Sequence, residues 1–66
     1  MLTSEQEAKV RFAYRVYSTG NTYGAPAAAV RAASDLIDKV VEACGQVRRI
    51  DARLFSSVAT DIIKNN

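Results

Sequence analysis

The sequence predicts an all-α fold: a small three-helix domain with helices over about 4–19, 26–44 and 52–64, completed by oligomerisation. Two patterns predict it. Apolar residues recur every three or four positions in three separate segments, and even the β-branched residues keep this helical spacing, so no stretch reads as a strand. Glycine and proline cluster only between those segments, where helices stop and start. A third observation, the length of 66 residues, allows one domain over 1–66 and no more. A chain so short buries only ~60% of the surface its unfolded form exposes, so some further source of stability is expected.

The first segment reads "LTSEQEAKVRFAYRVYSTG". Thr3 or Ser4 can cap a helix, with Gln6 or Glu7 reaching back as the capping-box partner. Glu5 and Glu7 suit the positive end of the helix dipole. At about 100° per residue, Val10, Phe12, Ala13, Val16 and Tyr17 gather on one side and Glu7, Arg11, Arg15 and Ser18 on the other, with Tyr14 at the border. Gly20 is the expected left-handed terminator.

The second segment, "APAAAVRAASDLIDKVVEACG", carries the clearest period. Ala29, Ala32, Ala33, Leu36, Ile37, Val40, Ala43 and Cys44 share a face flanked by Val30 and Val41, opposite Arg31, Ser34, Asp35, Asp38, Lys39 and Glu42. This stripe covers roughly 180°, wider than the ~100° that a single neighbour requires, so the helix is expected to touch both others or a second copy. Pro26 suits the first helical turn and Gly45 the position just past the end. Ala25 is a poor cap, so this helix is expected to fray at its start or to borrow the hydroxyl of Thr22.

In the third segment, "RIDARLFSSVATDIIKNN", Asp51 is the expected N-cap and Ile50 before it is placed to pack on Phe55, the hydrophobic-staple arrangement. Leu54, Phe55, Val58, Ala59, Ile62 and Ile63 form the apolar stripe, and the closing "KNN" is an expected frayed end. The connector "QVRRI" between Gly45 and Asp51 is short enough to lay consecutive helices side by side, roughly antiparallel.

The candidate sites are few. The loop "YSTGNTYGAP" at 17–26 lacks the strand, the lysine and the spacing of a phosphate-binding loop, and reads as the joint between a helix ended by Gly20 and one begun at Pro26. Asp35, Asp38 and Glu42 share one helix face, but Arg31 and Lys39 stand four residues either side of Asp35, which is how a solvated face is built. Cys44 is the only cysteine and there is no histidine, so no metal site and no activated nucleophile is expected, and neither is a cofactor. The expectation is a protein that is not an enzyme.

The net charge of +2 is unevenly spread. Residues 1–24 carry +1, residues 25–45 carry −1 and residues 46–66 carry +2. Arg48, Arg49 and Arg53 surround the start of the third helix, and Arg11 and Arg15 lie one turn apart beside Tyr14, which together form a candidate nucleic-acid surface. The run "EACGQVRRIDARL" departs from a helix-turn-helix joint, because Asp51 stands where a buried residue is wanted and its charge repels phosphate.

Protein–protein contact is the leading expectation. Arg11, Tyr14, Arg15 and Tyr23 are the candidate partner-binding residues, being of the types enriched at interface centres. Self-association as a dimer or higher oligomer is also expected, since the alanines of the second helix bring little buried area each. In its size and want of catalytic machinery the chain resembles the small accessory proteins of phages and other mobile elements, which implies a regulator, inhibitor or assembly component. The opening "MLTSEQEAKV" has neither the basic start nor the apolar run of a secretory signal and no segment reaches the ~20 apolar residues of a membrane span, so a cytoplasmic location without membrane contact is expected.

Overall fold

The computed structural model describes residues 2–45 and 48–65 and consists of three helices, α1 (Ser4–Thr19), α2 (Ala27–Cys44) and α3 (Ala52–Lys64), with no strand among the described residues. The start of α1 is a complete capping box. Thr3 Oγ1 accepts the N–H of Gln6 at 3.1 Å while Gln6 Oε1 accepts the N–H of Thr3 at 3.0 Å, so two of the orphan donors of the first turn are satisfied reciprocally. Ser4 is the first helical residue and not the cap. At the other end Gly20 takes φ 70° and ψ 8°, the left-handed conformation that lets its N–H return to the carbonyl of Val16 at 2.8 Å.

The entry to α2 differs from expectation. Pro26 lies just outside the helix in extended conformation, φ −66° and ψ 152°, and is itself the N-cap, which no side chain supplements. The reason is local. Thr22 contributes its carbonyl and not its hydroxyl, accepting the N–H of Ala25 at 3.1 Å, and closes a turn that ends where the helix begins. Gly24, with φ 81°, takes the third position of that turn.

Asp51 caps α3 as its chemistry predicts, Oδ1 accepting the N–H of Leu54 at 2.8 Å. Ile50 before it and Phe55 after it are both buried, 2% and 0% exposed, in one core. Asn65 closes α3 with its N–H on the carbonyl of Asp61 at 3.0 Å. Of the expected connector, Gln46 and Val47 lie outside the described residues, as does Asn66 of the closing "KNN".

Each helix touches both others, which accounts for much of the width of the α2 stripe. The described core consists of Val10, Ala13, Ala33, Val40, Ile50, Phe55 and Ala59. Three of these seven are alanines, so the core is thin. Its centre is Phe55, against which Tyr14 packs edge-on with ring centroids 5.5 Å apart and Tyr17 at a tilt with centroids 5.6 Å apart. The molecule measures 30 × 27 × 17 Å, a slab less than two helix diameters thick. Both broad faces of such a slab stay near solvent, and residues at the edge of every apolar stripe are only half covered.

Candidate functional site

An open apolar groove of about 480 Å³ lies between α1 and α2. Helix spacing builds it. On α1, Glu5, Ala8, Lys9 and Phe12 fall on adjoining turns of one flank; on α2, Ala29, Ala32, Ala33, Asp35, Leu36 and Lys39 do the same; Ile62 and Ile63 reach in from the last turn of α3. Phe12 and Leu36 supply bulk, whereas the four alanines Ala8, Ala29, Ala32 and Ala33 supply almost none, and the trough is the volume they leave unfilled. The rim holds Glu5 and Lys9 on one helix and Asp35 and Lys39 on the other, each pair four residues apart, so its charges balance.

The groove falls in the size range of small-molecule pockets, yet its floor is aliphatic and aromatic carbon without converging polar groups. Among the described residues no polar or charged side chain is buried and no group of three potential metal ligands comes together. What such a surface can do chemically is bury apolar area against another surface.

A second, shallower cleft of about 420 Å³ opens on the opposite flank of α1, where Leu2, Glu7, Val10 and Arg11 face Ser56 and Thr60 of α3. Of the residues expected to bind a partner, Arg11 is therefore on the cleft side of α1 and away from the groove. Arg15, one turn on, is exposed. Tyr14 is half-buried, its ring engaged with Phe55 and 6.4 Å from that of Tyr17, so its face serves the core. Tyr23 stands apart from all three: it is 93% exposed at the tip of the α1–α2 loop. That loop is built and not loose, because Asn21 Oδ1 accepts the N–H of Tyr23 at 3.0 Å and Thr19 Oγ1 accepts that of Asn21 at 3.1 Å.

The basic residues of the other candidate surface are exposed. Arg48, Arg49 and Arg53 surround the start of α3, and Arg53 lies one turn before Ser56, on the flank that faces Arg11. Tyr14, the aromatic in that surface, is the residue packed on Phe55. Asp35 and Lys39, read from the sequence as part of an ordinary solvated face, are exposed, and they also stand at the rim of the groove. The groove was not named from the sequence, although its signal was present as the excess width and the alanines of the α2 stripe.

No helix among the described residues is long and apolar enough to cross a membrane. No protein-family model, no curated protein and no solved structure matches this chain.

Proposed function

We propose that this chain is a small, non-enzymatic helical binding module that acts through protein–protein contact, as a regulator, inhibitor or assembly component. The open apolar groove between α1 and α2, with its balanced charged rim, is the observation that carries the reading. A contiguous apolar surface rimmed by polar groups stabilises a complex when covered, and left open it is an aggregation liability. Tyr23 adds an exposed aromatic outside the groove, at the tip of the α1–α2 loop. We place the module in the cytoplasm on its lone thiol, Cys44.

The test is capture of proteins from nuclease-treated extract of the native host, with the wild-type chain and Ala32→Arg as baits. Ala32 is exposed in the groove, so the variant adds a charge to the contact surface without touching the core. The expected result is a protein retained by the wild type and lost by the variant. Binding to mixed DNA or RNA with micromolar affinity and a steep negative salt dependence, abolished by Arg48→Ala with Arg49→Ala, overturns the reading in favour of nucleic acid.

A further inference from the structure

On α2 the positions seven residues either side of Leu36 are both alanine. Ala29, Ala32, Leu36, Lys39 and Ala43 stand at −7, −4, 0, +3 and +7 relative to Leu36 and lie within one arc of the helix surface. When two copies of this helix run antiparallel across a two-fold axis at Leu36, Ala29 faces Ala43 of the second copy and Leu36 faces Leu36. Ala32, Lys39 and Ala43 are exposed and Ala29 and Leu36 half-buried, so the seam is accessible.

The charges fit the same operation. A two-fold axis perpendicular to both helices keeps the Asp35–Lys39 flank of one copy on the same side as that flank of the other. Asp35 of each copy then lies within side-chain reach of Lys39 of its mate, and two ion pairs form.

We infer that the chain forms a two-fold homodimer through the groove face, with α2 antiparallel to α2 about Leu36 and reciprocal Asp35–Lys39 pairs. The inference rests on the protein-contact reading of the groove and names its occupant as a second copy.

Sedimentation and thermal melts of the full chain over a hundredfold range of concentration test it. The expected result is a dimer mass at high concentration and a melting temperature that rises with concentration. Ala32→Arg, Asp35→Lys and Lys39→Asp each weaken association at least about tenfold while circular dichroism shows the helices retained. Mixing the Asp35→Lys chain with the Lys39→Asp chain restores a dimer, which only this pairing predicts. A monomeric wild type at every concentration overturns the inference, and so does a dimer indifferent to Ala32→Arg or variants that fail to complement on mixing. A monomeric wild type that still captures a host protein in a groove-dependent way refutes the dimer and leaves the binding-module reading standing. A dimer that captures no protein does the reverse, leaving self-assembly as the whole of the groove's use.

Discussion

The hydroxyl of Tyr17 accepts the backbone N–H of Ile50 at 3.3 Å, tying the last turn of α1 to the residue before the α3 cap across 33 positions of sequence. The same ring lies 5.6 Å from Phe55, so one side chain both packs the core and satisfies a partly buried donor in the connector. Tyr17→Phe keeps the ring and removes the acceptor. We expect a loss of about 1 kcal/mol, seen as a fall in melting temperature of ~4–8 °C. An unchanged melt means water replaces the hydroxyl without cost.

Phe55 has no exposed surface and is the ring on which both tyrosines pack. Phe55→Ala is expected to cost ~3–5 kcal/mol. A 66-residue domain has on the order of 3–10 kcal/mol to lose. Far-UV circular dichroism of the variant should show weak, non-cooperative melting; a sharp transition near the wild-type temperature places the core elsewhere.

Removing the Asp51 cap should cost ~1 kcal/mol as Asp51→Ala and much less as Asp51→Asn, which keeps an oxygen to accept the Leu54 N–H. Denaturant midpoints of the two variants separate loss of the cap from loss of the charge. Equal destabilisation by both indicates that the charge, acting on the helix dipole, is what matters.

Two glycines end helices in different conformations, and substitution should tell them apart. Gly20 has φ 70° and ψ 8°, a left-handed conformation that asparagine also visits, and a side chain there meets open space. Gly45 has φ 66° and ψ −119°, outside the left-handed helical region and open in practice to glycine alone. Gly20→Asn should therefore cost under ~1 kcal/mol and Gly45→Asn about 1–3 kcal/mol by urea titration. A larger cost at Gly20 than at Gly45 refutes this assignment.

Tyr23→Ala should leave the melting temperature within the ~0.5 kcal/mol equivalent of a surface change, because the side chain is 93% exposed. Any loss of protein capture by this variant then reports a direct contact. A fall in stability shows instead that the tyrosine holds the loop.

Helix existence, type and ends could be read from the chain because they depend on interactions that reach no further than four residues. The capping box at Thr3, the left-handed Gly20, the Asp51 cap and the period of each apolar stripe are all of this kind. Pro26 departed by one residue because the turn closed by Ala25 and Thr22 competes for the same backbone. What only the tertiary structure decided is which half-covered edges meet. Tyr14, a border residue on the helical wheel, is half-buried because its ring packs against Phe55, so only part of it is left at the surface. Asp35 and Lys39 became a groove rim because Phe12, Ile62 and Ile63 converged beside the alanines of α2. Stripe periodicity gives the direction a residue faces on its own helix. How the three helices cross, and how much volume the small residues leave between them, is set by side-chain packing among residues distant in sequence, and the groove exists only there.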